Sequence, residues 1–334
     1  MKQWVLSLFL MAGSVGLYAQ NADDIIKSAR EYTMKGDFEN TILVLKNGLG
    51  KYPDNAEIMQ ELALAYYSTQ RNPQALEALK PLLAGSKPEE TVFQIAGLIY
   101  RSSQLPKEAE KNYKAGLKLY PKSGMLHNEY GQLMEIMEPG RGEGIKLWEK
   151  GIEADPGFAA NYYHSARYYS MVNNSVWALL YGEMFVNLDS YSNRTIEVKN
   201  MLFQFYKKIF AFGFSGLNDK NSFEKVVSDC FFKQKAFAST GITPESLSAI
   251  RTRFILDWYN SAESKKYPFR LFERQQQMLR EGMFDAYNQW LFGGASNMAS
   301  FQSWTKAHTE EYQAFTKFQR QQLFVVNAGQ YYKM

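Results

Sequence analysis

This 334-residue sequence is poor in the residues that build reactive centres. It has one cysteine, Cys230, so an intramolecular disulfide is excluded and stability rests on packing. Cys230 stands beside Phe231 and Phe232, the setting of a buried small hydrophobe and not of a nucleophile. There are three histidines, His127, His164 and His308, and no His-x-x-x-His pair, so a zinc site would need distant acidic ligands. Adjacent carboxylates such as Asp23-Asp24 and Glu310-Glu311 point apart on a helix and read as solvated surface. Beyond the N-terminus no stretch is apolar enough to span a bilayer.

Nucleotide-binding motifs are missing as well. Residues 138–144 alternate glycine with charge (Glu138, Pro139, Gly140, Arg141, Gly142, Glu143, Gly144), yet Gly144 is followed by Ile145, Lys146 and Leu147, with no hydroxyl placed for magnesium. The glycines also lack dinucleotide-fingerprint spacing and follow a helical pattern, not a strand. Residues 212–217, with Gly213, Ser215 and Gly216, fall one residue short of a nucleophile elbow. These absences argue against an enzyme, and no cofactor or metal is expected.

What is present begins with the N-terminus. Residues 1–19 carry one lysine, an apolar stretch from Trp4 to Leu10, and smaller residues leading to Ala19, the pattern of a signal peptide cleaved before Gln20. No cysteine lies near that point to accept a lipid. The expectation is export, to the periplasm of a Gram-negative cell or beyond it. The net charge of +4 hides an asymmetry: residues 1–200 hold 21 Lys+Arg against 23 Asp+Glu, and residues 201–334 hold 17 against 11. Aromatic residues are skewed too, 23 in the first 200 positions and 28 in the last 134, which predicts two structural parts.

The strongest signal is a repeat. Ala29, Ala63, Gly97, Gly131 and Ala166 are spaced by 34, 34, 34 and 35 residues. Three residues after each come Tyr32, Tyr66, Tyr100, Met134 and Tyr169. Thr41, Ala75, Ala109, Gly144 and Ala178 form a third series, and Pro53, Lys87, Pro121, Pro156 and Ser190 a fourth. All four agree if one residue is inserted in the fourth repeat, at 138–144, which becomes a turn between helices. Apolar residues at helical spacing fill both halves of each repeat, and proline stops the second half. Each hairpin alone leaves an apolar face exposed, and stacking covers it.

The sequence here resembles the tetratricopeptide repeat (TPR) family, whose period is 34 and whose signature orders small, aromatic and proline residues in this way. The resemblance covers residues 22–192 as five repeats (22–55, 56–89, 90–123, 124–158 and 159–192), with a capping helix at 193–210. It lacks the family's tryptophan near the repeat start, and Thr41, Gly144, Lys87 and Ser190 depart from the signature. The implied fold is all-α, a TPR-type solenoid followed by a C-terminal α-helical domain at 211–334.

In that family the first helices line a concave binding face. Carried over, those positions are Arg30, Gln60, Tyr67, Gln94, Arg101, Asn128, Gln132, Tyr163 and Arg167. The mixture would suit an extended peptide with acidic groups. Ile26 and Arg30 do not match the Lys and Asn with which chaperone-binding members grip a terminal carboxylate. In the C-terminal part, Thr243-Pro244 reads as a helix start, and helices are predicted at 244–262, 268–292, 297–307 and 309–322. Breakers are predicted at 264–268 and 293–297, with a short strand or extended tail after residue 322. Aromatics there recur at helical spacing (Phe254, Trp258; Phe284, Tyr287, Leu291; Phe301, Trp304), a core stripe more than a nucleic-acid surface. Three roles follow: a non-enzymatic scaffold for a protein or peptide, a docking arm for a ligand-binding or catalytic C-terminal domain, or a structural subunit of an envelope complex.

Overall fold

A computed structural model describes residues 21–218 and 222–331. Segment 1–19, expected to be a signal peptide, lies outside the described residues. The chain divides into two compact units, Met1–Ser103 and Gln104–Met334.

The first unit consists of α1 (Ala22–Met34), α2 (Phe38–Lys51), α3 (Ala56–Ser68), α4 (Asn72–Leu83) and α5 (Glu90–Ser102). Side chains that prefer to accept from the backbone start three of these helices. Asn21, Asp37 and Asn55 take the amides of Asp24, Asn40 and Ile58 at 2.8, 3.2 and 2.9 Å. Ala29 and Ala63 are almost wholly buried, as are Ala75 and Thr41, so the small-residue series lies where helices touch. Ile25, Ile26, Leu45, Ile58 and Leu62 fill one core, and Ala63, Leu79, Ile95, Ala96 and Ile99 the next.

The second unit begins with α6 (Pro106–Leu119), α7 (Gly124–Met137), α8 (Glu143–Ala154), α9 (Ala159–Met171) and α10 (Ser175–Leu188). Then come α11 (Asn193–Phe212), α12 (Ser222–Phe232), α13 (Pro244–Asn260), the single turn α14 (Glu263–Lys266) and α15 (Arg270–Arg280). The rest is α16 (Phe284–Asn288), a π-helical segment (Gln289–Gly293), α17 (Gly294–Ser296), α18 (Met298–Ala307) and α19 (Thr309–Gln321). The fold is all-α, built from TPR-type hairpins and a C-terminal set of helices, as the repeat pattern predicts. Thr243 caps α13 in a reciprocal pair with Ser246.

Two local expectations need correction. The helix predicted over 268–292 breaks at 281–283, because Gly282 takes φ +70, a left-handed conformation open to glycine. The predicted breaker at 293–297 is instead helical up to Ser296. Gly293 sits at φ −57 and lets Phe301 approach, so it serves contact and not a turn. Of the short strand or extended tail expected after residue 322, the chain end takes the extended form among the described residues. It lies extended along α15, where Arg270 donates its amide to Gln330 O (2.7 Å) and Nε to Val325 O (2.9 Å), and Arg274 donates to Gln322 O (2.7 Å).

What joins the C-terminal helices to the hairpins is the composition of α10. Every residue from Ser175 to Val186 is buried. A helix apolar on all sides must be covered on all sides. The partner helix α9 covers one side, and α11, α12 and α15 cover the others. One core therefore runs from Ile152 through Trp177, Phe185, Phe254 and Trp258 to Val326.

Candidate functional site

In the first unit, Arg30, Gln60 and Gln94 line one cleft of about 320 Å³, together with Glu57, Glu61, Leu64, Thr91, Ile95 and Leu98. All three project from first helices of successive hairpins, α1, α3 and α5. Arg30 does not face the cleft as a free cation. It binds Glu57 at 2.9 Å and Glu61 at 2.5 Å, with its Nε donating to Glu61 at 2.7 Å. The hydrogen bond that Arg30 donates to Glu61 is the main reason that the guanidinium is held above its ordinary value. Gln60 accepts from the Thr91 hydroxyl (2.7 Å) and donates to Glu89 (3.2 Å). Tyr67 and Arg101 lie further along α3 and α5, half-buried and outside that lining. Counting Arg30 against Glu57 and Glu61, the cleft is net acidic. The sequence-based expectation of an acidic partner counted arginines and missed the carboxylates that neighbouring helices bring to them.

In the second unit the remaining positions form two separate groups. Asn128 is buried; its side-chain oxygen accepts from Gln132 at 2.8 Å and its carbonyl from Trp148 Nε1 at 3.2 Å. Tyr163 is buried as well and donates to Glu197 at 2.9 Å, while Arg167 donates to the Tyr163 oxygen at 3.3 Å and pairs with Glu197 at 3.4 Å. The guanidinium of Arg194 sits 4.9 Å from the Tyr163 ring centre. Burial, then the bond to Glu197, pushes the Tyr163 hydroxyl up. Of the four predicted positions here (Asn128, Gln132, Tyr163 and Arg167), only Arg167 is largely exposed.

The glycine-rich segment 138–144 is the α7–α8 turn. Gly140 and Gly142 adopt φ +72 and +78, a backbone that side chains resist. Gly144 lies where α8 meets α7: a Cβ there would be 2.9 Å from Gly131 O. Gly131 faces the Trp148 indole, which a Cβ would strike. Both glycines answer to helix packing.

A polar network crosses the core of the second unit. Glu183 on α10 accepts from Gln275 (α15) and Tyr287 (α16), each at 2.7 Å, and pairs with Arg251 on α13. Arg251 also donates to Asn288, and Tyr287 accepts from Asn187 at 2.8 Å. Both charges are almost fully excluded from water. Burial opposes the Arg251 charge, yet the Glu183 carboxylate leaves the guanidinium above its ordinary value. Arg251 and Glu183 escaped sequence reading because they lie 68 positions apart. The visible clue was a lone carboxylate within an otherwise apolar helix.

A cleft of this unit, about 470 Å³, opens between α13, α16, α18 and α19 and includes Glu245, Arg253, Asp285, Trp304, His308 and Glu311. Glu245 accepts from Gln289 at 2.6 Å, and Asp285 from Ser248. The ring of His308 stacks on Trp304 at 4.3 Å. Cys230 is buried and its thiol is pushed up by burial. Among the described residues no cluster of His, Cys, Asp and Glu is placed to hold a metal ion, and no helix is long and apolar enough to cross a membrane.

Hairpins of these lengths, starting at residues 22 and 56 in the first unit and at 124 and 159 in the second, and meeting at small buried side chains, define a helical-repeat protein. The family model for the tetratricopeptide repeat matches residues 32–89, so the chain carries repeats of that type there. No curated protein sequence matches the chain. Among solved structures, a thermophilic TPR protein of Thermus thermophilus is 13% identical over 55% of this chain and 99% of its own, with a TM-score of 0.46. PilF of Pseudomonas aeruginosa is 16% identical over 61% and 94%, with a TM-score of 0.45. YrrB, a TPR protein with an unusual peptide-binding site, is 16% identical over 54% and 92%, with a TM-score of 0.37.

Proposed function

We propose that this protein is an exported, non-enzymatic scaffold that binds a protein or peptide partner along first-helix faces of its repeats. The observation that carries this is the cleft of the first unit, where Arg30, Gln60 and Gln94 share one lining with apolar Leu64, Ile95 and Leu98. Polar groups that fix orientation around an apolar floor are what an extended peptide needs. Because Glu57 and Glu61 outnumber Arg30 there, the preferred segment carries a basic side chain beside an apolar one. The amides of Gln60 and Gln94 add hydrogen bonds to its backbone.

The test is a peptide array probed with wild-type protein and with Gln60→Arg/Gln94→Arg, which fills the cleft and reverses its charge. Basic-apolar peptides are expected to bind the wild type and to lose at least tenfold in signal with the variant. Equal retention of every peptide by both proteins would remove the cleft from consideration. The amino-terminal residue of the mature protein, recovered from the cell envelope of the native host, tests export; an intact residue 1 in a cytosolic fraction overturns it.

A further inference from the structure

A second cavity, of about 350 Å³, lies in the second unit between the end of α10, α15, α19 and the extended C-terminal tail. Its walls are mostly apolar: Leu188, Leu323, Phe324, Val325 and Val326. Set into them is Arg274, only 3% exposed. One of its amino groups donates to Gln322 O at 2.7 Å, and the guanidinium lies 4.0 Å from the Phe318 ring centre. Its Nε is buried without an acceptor. Among the described residues no carboxylate comes within ion-pairing distance of it. The contrast with Arg251 is direct, since that guanidinium has its own glutamate.

A buried cation without a counter-ion is costly, and proteins ordinarily pair such a group. Here the arginine that carries the unsatisfied donor lines a space of the size that small molecules occupy, about 300–1,000 Å³. Ser190 and Gln319, themselves hydrogen-bonded at 3.2 Å, add polar groups at the same wall. We infer that this cavity is a binding site for an aliphatic monocarboxylate, whose carboxylate pairs with Arg274 and whose chain lies on Leu188 and the tail residues 323–326. A planar guanidinium suits a carboxylate through two parallel bonds. One charge set in an apolar wall selects a ligand with one charge and an apolar body. Desolvation pulls the Arg274 guanidinium down to about 10.

Octanoate is the probe, with octanol (same chain, no charge) and acetate (same charge, no chain) as controls, measured by isothermal titration on the full chain. Octanoate is expected to bind saturably and at least tenfold more tightly than either control. Arg274→Met is expected to abolish that preference. Because Arg274 also holds the tail, Leu323→Glu serves as a second variant: residue 323 is 74% exposed, and the new carboxylate would occupy the arginine from the cavity mouth. It too should weaken octanoate at least tenfold with an unchanged circular dichroism spectrum. The inference is overturned if octanoate and octanol bind equally, if octanoate shows no saturable binding, or if a folded Arg274→Met binds as the wild type does. Should Arg274→Met not fold, wild-type affinity in Leu323→Glu overturns it.

Discussion

Removing Arg251 alone should damage this protein more than removing Arg251 and Glu183 together. In Arg251→Met the Glu183 carboxylate stays in a site from which water is excluded, with only Gln275 and Tyr287 to serve it. Breaking a buried pair from one side costs about 3–5 kcal/mol. In Glu183→Gln the guanidinium is left with Asn288 and with three aromatic rings, Phe284, Tyr287 and Phe292, at 5.5, 5.4 and 5.2 Å from its centre. Ring faces favour a cation by about 2 kcal/mol when desolvated, too little to replace the carboxylate. The double variant Glu183→Gln/Arg251→Met carries neither charge, and such replacements are often neutral. The coupling energy should therefore be about 3 kcal/mol or more, out of a total stability of about 5–15 kcal/mol for a typical native protein. Urea unfolding followed by tryptophan emission is the assay, because Trp148, Trp177, Trp258, Trp290 and Trp304 all belong to the second unit. Single variants within about 1 kcal/mol of wild type, or a double variant as unstable as the two singles summed, would refute the reasoning.

Other expectations follow from packing and charge. Gly131→Ala should lose about 1–3 kcal/mol of stability, since its Cβ meets the Trp148 ring, whereas Gly140→Ala meets nothing and should lose only the roughly 1–2 kcal/mol of a left-handed backbone; thermal unfolding separates them. Lys199 lies with Nζ 3.5 Å from the Trp290 ring centre, and burial pulls its pKa down to about 7 from the ordinary 10.5. The unfolded chain therefore binds more protons between those values, so stability should rise with pH from about 7 to 10.5 and be lowest below 7. Lys199→Met should flatten that rise, and identical slopes for the two proteins would contradict it. Ending the chain at Gln321 removes buried Phe324 and Val326, each worth about 1.5–3 kcal/mol, and should lower the urea midpoint of the second unit accordingly.

Much of this molecule was legible because repeats write the same physics five times. Ala29, Ala63, Gly97, Gly131 and Ala166 all need to be small for the same reason, and all are buried. Their register turned an apparent phosphate loop at 138–144 into a helix turn. The C-terminal helices have no period to average over, so glycine had to be judged singly. Gly282 makes a turn while Gly293 makes a contact, and sequence alone does not tell them apart. The repeat register proposes the cleft positions, but the charge expected of them left out the carboxylates beside them. Glu57 and Glu61 belong to the helix next to Arg30, and a list of one helix's side chains omits what its neighbour supplies. Arg274 was invisible for the opposite reason: only three-dimensional packing shows that no carboxylate was brought to it.

Arrays of helix hairpins usually grow or shrink by whole modules, because each module touches only the next. The covering of α10 on every side withdraws that freedom from this chain. A copy of the hairpin α9–α10 grafted elsewhere would carry an apolar surface with no cover, and a duplication inserted after residue 188 would have to displace α11, α12 and α15. Lineages of this protein should thus vary in repeat number, if at all, ahead of α9, and never between α10 and the helices that enclose it.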